Sequence, residues 1–232
     1  MKTTLSLAAL AFCTVAFAAD VPEGYKAVYE QDFAKPESIK DFAFPDSAAW
    51  RLAEAGKRPV LEQFQAAKYS PPHRSPVNFC LIANKKVGDF ILEVEGQQTS
   101  KEYGHRDMVF VFGYQNPSQY YYSHIATKGD DNANNIFIVN DKPRIKISKT
   151  TNPGNDWGTD VYKTVRIERK VADGTIKVFF DDMKKPVMTA EDKTHGPGWV
   201  GFGTFDDTCR VRSVKLFAPS VEEVAVKPFA KK

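Results

Sequence analysis

Helical periodicity is almost missing from this 232-residue chain. Ala48 to Gly56 is the only stretch that could make two helical turns, with Pro59 just beyond it. A parallel sheet needs helical crossovers of about a dozen residues or more, so parallel α/β folds are excluded. No repeat of about 40 residues recurs, which removes a propeller. Charge of one sign is also lacking. The 32 Lys and Arg nearly balance 29 Asp and Glu, leaving +3 and no basic block. Nucleic-acid recognition normally requires a basic stripe, so nucleic acid is not an expected partner. No Gly-rich phosphate loop, zincin histidine pair or nucleophile elbow is present.

Long apolar runs are scarce as well. The one at the start, Leu5 to Ala19, is shorter than the roughly 20 residues a bilayer span needs. Lys2 before it and Ala16-Phe17-Ala18 at its end fit a secretory signal peptide over 1–18, and a periplasmic or secreted protein with no transmembrane segment. Leu10-Ala11-Phe12-Cys13 resembles a lipidation site, but Phe12 is too large for the residue before a lipidated cysteine. Cleavage removes Lys2, taking +3 to +2, and removes Cys13. Of the three cysteines, Cys80 and Cys209 remain. They either pair in an oxidising compartment or stay as separate thiols.

What is there is alternation with period two, broken by Gly, Pro, Asn and Asp. Strands are expected over Tyr25–Phe33, around Val77–Ile82 and over Phe90–Glu95. Further strands are expected at Met108–Tyr114, Gln119–Ala126, Ile136–Val139, Arg144–Ile147, Gly198–Phe202 and Val211–Phe217. Val161–Arg169 and Thr175–Phe180 read as a hairpin around Ala172-Asp173-Gly174. Met108, Phe110, Phe112 and Tyr114 are assigned to one face, with Val109, Val111 and Gly113 on the other. The fold class is therefore all-β: two antiparallel sheets packed face to face over residues 19–217, with 218–232 as a short tail.

Several motifs add a resemblance. Ser75-Pro76-Val77-Asn78-Phe79, Gly88-Asp89-Phe90, Lys101 to Asp107 and Asn134-Asn135-Ile136-Phe137 are among them. So are Trp157, Asp173-Gly174-Thr175, Phe180-Asp181-Asp182 and Gly201 to Asp207. Together, over about residues 45–217, they resemble the concanavalin A-like lectin/glucanase superfamily. The nearest branches are the laminin-G-like and 3-keto-disaccharide hydrolase domains of bacterial secreted proteins. That resemblance implies a jelly-roll sandwich with a glycan-binding face. The Glu-x-Asp-x-x-Glu strand of the glucanase branch is missing, and Glu93-Val94-Glu95 supplies only two carboxylates on one face.

Three groups of residues carry candidate chemistry. His105-Arg106-Asp107 opens an apolar strand, where Arg106 and Asp107 suit sugar hydroxyls or a uronate, or else tie a loop to the sheet. Tyr120, Tyr122 and His124 share a strand face and offer flat rings with polar tips, as a carbohydrate platform requires. His105 and His124 placed across that hairpin could act as acid and base or as metal ligands, and in catalysis Tyr122 could be the proton donor, with Arg106 or Arg144 neutralising charge. Tyr120, Arg144, Glu93 and Glu95 complete the expected substrate contacts. Asp130, Asp131 and Asn132 form an oxygen-rich loop with the ligand type for a structural calcium, although no cofactor is required. Asn and Asp are equally ordinary turn residues. Trp157 reads as a plug of the sandwich. Two functions stay open: a carbohydrate-active hydrolase of glycosides or keto-sugar glycosides, and a non-catalytic lectin-like or envelope-associated domain.

Overall fold

The computed structural model describes residues 21–225 and 228–229. The expected signal peptide and Cys13 lie outside the described residues. Among the described residues, alternating apolar residues give eighteen strands. In chain order they begin with β1 Lys26–Gln31, β2 Phe42–Ala43, β3 Trp50–Ala55, β4 Arg58–Gln63, β5 Asn78–Ile82 and β6 Lys85–Lys86. Next come β7 Phe90–Gln98, β8 Asp107–Asn116, β9 Gln119–Ala126, β10 Asn135–Asn140, β11 Ile145–Lys146 and β12 Ser148–Thr151. The last are β13 Lys163–Arg169, β14 Thr175–Phe180, β15 Met188–Glu191, β16 Trp199–Thr204, β17 Cys209–Ala218 and β18 Glu222–Glu223.

They form a nine-stranded sheet, β12-β15-β14-β13-β7-β17-β4-β3 with β1 also on β17, and a seven-stranded sheet, β11-β10-β9-β8-β16-β5-β2. The architecture is an antiparallel jelly-roll β-sandwich, consistent with a concanavalin A-like fold. Between the sheets lie Phe42, Trp50, Phe90, Leu92, Phe110, Phe112, Tyr121, Ile125 and Val214. Trp157 joins them as the expected plug, its indole N–H donating to the Ile125 carbonyl at 3.1 Å. Cys80 and Cys209 are buried in the same core as free thiols.

Strand β16 lies close against β5. A Cβ on Gly201 would sit 1.8 Å from the Cys80 carbonyl oxygen, and one on Gly203 would sit 2.0 Å from that of Asn78. Only glycine leaves room for that approach.

Two local expectations are corrected. Ala48–Gly56 is not helical: a 3-10 turn over Ser47–Ala49 leads straight into β3. Gly56, at φ +67°, turns β3 tightly back onto β4, which a helix reading from Pro59 alone overlooks. Tyr114 does not share a face with Met108, Phe110 and Phe112. Gly113 adopts φ +57° and the pairing register shifts after Phe112, so the ring swings to the outer face.

That outer face of the seven-stranded sheet carries a second apolar layer of Phe79, Tyr114, Tyr120, Tyr122, Phe137 and Trp199. Tyr69, Phe205, Val224 and Phe229 pack over it. The last two belong to the expected tail, which contains a strand after all: β18 pairs with β6.

Candidate functional site

At one end of the seven-stranded sheet, the start of β8 and the end of β9 place Asp107 and His124 on the covered outer side. Asp107 sits opposite Ala126, and His124 opposite Val109 and Asn135. Both side chains are buried. Asp107 Oδ1 accepts the Phe205 backbone N–H at 2.8 Å, and its own backbone N–H donates to Asp207 Oδ2 at 2.9 Å. Its other oxygen, Oδ2, lies 3.0 Å from His124 Nε2. That contact is off the line of a directed hydrogen bond. His124 Nδ1 donates to the Asn132 carbonyl at 3.1 Å, which fixes a proton there because a carbonyl only accepts. The imidazole stacks on Phe205 with 5.5 Å between centroids and 10° between planes.

Arg144 closes this layer. Its guanidinium sits 4.5 Å from the Phe137 centroid and 4.7 Å from that of Phe205. Nη1 donates to the Tyr122 hydroxyl at 2.7 Å and Nη2 to the Asn132 carbonyl at 2.8 Å. A planar, delocalised cation suits such a stacked and forked position better than lysine would.

Above the buried base is a solvent-facing rim. Tyr103 is 39% exposed, and its hydroxyl donates to Asp207 Oδ1 at 3.1 Å. His105 is exposed and lies 2.6 Å from Asp130 Oδ2. Asp206 and Arg74 are exposed, and Phe205 is half-buried between them and the base. Although solvent reaches Asp206, partial burial raises its carboxyl pKa and the Asp107 charge raises it further; His124, Arg74 and His105 pull it down. Burial and then Asp107 likewise raise Asp207. Asp130 is lowered, first by the backbone N–H of Asn132.

The expected residues divide accordingly. His124, Tyr122, Arg144 and Asp107 do come together, but as a packed layer in which His124, Tyr122 and Asp107 are buried, Arg144 is half-buried, and His124 Nε2 has no directed hydrogen bond among the described residues. The expected His105–His124 pair is not formed: His105 faces Asp130, while His124 faces Asp107 and Asn132. The reason is that β8 begins at Asp107, which leaves His105 on the preceding loop. Tyr120 and Tyr122 do not line an open platform, because both are buried to within 1% under the covering layer. Arg106 is buried and donates to the side chain and carbonyl of Gln98 at 2.7 and 2.8 Å, so it ties its loop to the opposite sheet. Glu93 and Glu95 lie on β7 of that sheet, held by Arg166 at 2.7 Å and Arg212 at 3.0 Å. They are remote from the rim by topology.

The Asp130 loop spends its oxygens locally. Asp130 Oδ1 accepts the backbone N–H groups of Asn132 and Ala133 at 2.7 and 3.0 Å, and Asp131 pairs with Lys146. Among the described residues no cluster of three or more His, Cys, Asp or Glu side chains is placed to hold a metal ion.

Sequence reasoning did not single out Arg74, Tyr103, Phe205 and Asp206 as site residues. Phe205 offered one signal, an aromatic residue at a strand end immediately before two acids.

No protein-family profile matches the chain, and no curated protein matches it. Solved structures do match in fold. A carbohydrate-binding module, CBM66, from Bacillus subtilis is 14% identical, with a TM-score of 0.52 over 76% of this chain and 94% of its own. A Bacillus subtilis protein of unknown function with a galectin-like fold gives 0.55 at 10% identity, covering 83% of this chain and 97% of its own. Peanut lectin gives 0.51 at 9% identity over 86% and 99%. At these identities the likeness is one of fold.

Proposed function

We propose that the protein is a secreted or periplasmic, non-catalytic glycan-binding domain, and that its binding surface is the rim of Tyr103, His105, Asp206 and Arg74 with the edge of Phe205. The observation that carries this reading is the rim itself. An exposed aromatic ring, a carboxylate and a guanidinium stand near the buried base. Rings take the C–H faces of a sugar, and charged tips take its hydroxyls. The fold shared with a carbohydrate-binding module and a lectin supports the same direction by analogy. The burial of the His124 ring favours binding over turnover, since a general base needs an open path to the proton it removes.

A hydrolase of glycosides is the second reading. It has one observation of its own: Asp206 and Asp207 are both raised and both near Asp107, and a raised carboxyl is what a general acid requires.

A panel of neutral, uronic and 3-keto glycans, screened for binding and for released product, separates the two. Saturable binding with no product, weakened about tenfold or more by Asp206→Ala, is expected for one rim hydrogen-bonding group. Product formation lost in Asp206→Asn would transfer the case to the hydrolase. The domain requires no metal in this reading, and a chelator should leave binding unchanged. A rise in Tm with calcium, abolished by Asp130→Ala, would restore the cation to the Asp130 loop.

A further inference from the structure

At the opposite end of the covered face, the C-terminal segment is bound much as a separate peptide would be. Glu222–Glu223 add an antiparallel strand to the two-residue edge Lys85–Lys86, with Glu222 opposite Lys86 and Glu223 opposite Lys85. Lys85 and Glu223 form an ion pair, and the Val224 N–H donates to the Asn84 carbonyl at 2.9 Å. Lys86 lies 4.2 Å over the ring of Trp199. Farther along, Phe229 enters an aromatic slot, its centroid 5.7 Å from Phe79 and 5.6 Å from Tyr114. The floor of that slot is not fully satisfied. The Tyr114 side chain is wholly buried, and its hydroxyl has no hydrogen-bond partner among the described residues. A buried hydroxyl left unpaired is a cost that holds only while the slot is covered.

Strand addition with paired charges and a trailing aromatic anchor is a known mode of peptide recognition. The attachment is also short. Its ion pair is largely exposed on the Glu223 side, at 60%, so salt should weaken it. We propose that the Lys85–Lys86 edge and the Phe79–Tyr114 slot are a binding site for an extended peptide that carries a Glu-Glu pair followed by a trailing aromatic residue. The chain's own C-terminal segment is its resident occupant, and the same segment of a second copy can replace it.

The test uses the full chain and a fluorescent peptide of residues 219–232. Because the resident segment competes, the wild-type chain binds the peptide with an affinity reduced by the closed fraction. Phe229→Ala weakens the competitor and should bind the wild-type peptide about tenfold tighter or better. Lys85→Glu with Lys86→Glu should lose the peptide, and a peptide carrying Glu222→Lys and Glu223→Lys should restore it. Equal binding by wild type and Phe229→Ala, or none by either, would overturn the proposal. Hydrogen exchange on the unaltered protein decides independently of how the variants fold. The Val224 amide should exchange at least about a hundredfold faster than the amides of β9, and faster still in 1 M NaCl. Exchange as slow as β9 at both salt concentrations means a fixed tail and ends the proposal.

Discussion

Asp107 takes the Phe205 N–H on one oxygen and faces His124 with the other, while its own N–H holds Asp207. Replacing it with alanine leaves a buried N–H and a buried imidazole face without partners. Urea unfolding of Asp107→Ala should therefore show a loss of about 3 kcal/mol, in the range for a broken buried polar network. Asp206, one position before Asp207, is the contrasting case. It is exposed, so Asp206→Ala should shift stability by no more than about 0.5 kcal/mol while weakening ligand binding about tenfold or more. A large stability loss in Asp206→Ala would show that the rim is part of the base. At this scale the sequence was half legible. The alternation of β9 put Tyr120, Tyr122 and His124 on one face, where they are. It could not show that this face is covered, because Tyr69, Phe205, Val224 and Phe229 arrive from separate segments.

Strands and loops show the same division. The β16 glycines lie where a methyl group would enter the backbone of β5, so Gly201→Ala should fail to fold or unfold at a much lower temperature. Its destabilisation should exceed the ~1 kcal/mol typical of single substitutions. The loop after β15 is held by a different device. Arg169 donates to the carbonyls of Gly174, Asp192 and His195 at 2.7, 2.8 and 3.3 Å. The His195 N–H donates to the Tyr121 hydroxyl at 2.8 Å, and its Nε2 contacts the Val139 carbonyl at 2.9 Å. Burial, more than any charge, lowers the His195 pKa.

A histidine lowered in the folded state binds fewer protons there than in the unfolded chain, whose value is about 6.5. Its contribution is thus complete above about 6.5 and is lost as pH falls toward the folded value. Asp206 and Asp207 are raised, so they act in the opposite sense: their contribution is present below about 3.9 and is lost as pH rises through their folded values. Between pH 7.5 and 5.5 the His195 effect should be visible as a falling Tm, and His195→Gln should flatten that slope. An unchanged slope in the variant would assign it elsewhere. Nothing in the local sequence marks His195, since its partners Tyr121 and Val139 come from β9 and β10.

For the molecule as a whole, strand alternation and the absence of helices were enough to read two packed antiparallel sheets. The misread segments are those where one glycine decides. Gly56 turns a hairpin in place of the expected helix, and Gly113 sends Tyr114 to the other face. Function was less legible because the histidines, acids and arginines nearest in sequence serve different sheets. Arg106 turns to Gln98, Glu93 and Glu95 stay on β7, and the rim instead draws on loops before β5, before β8 and after β16. The long outer face became a packed layer, leaving the end loops as the surface open to a ligand.

The most direct measurement is a two-dimensional NMR titration of the labelled protein with the best-binding glycan from the panel. Shifts are expected to concentrate at Tyr103, His105, Phe205 and Asp206, with Tyr120 and Tyr122 unmoved and no signals of a cleaved glycan over the titration. Shifts centred on Tyr120 and Tyr122, or the appearance of cleaved-glycan signals, would contradict the proposed function.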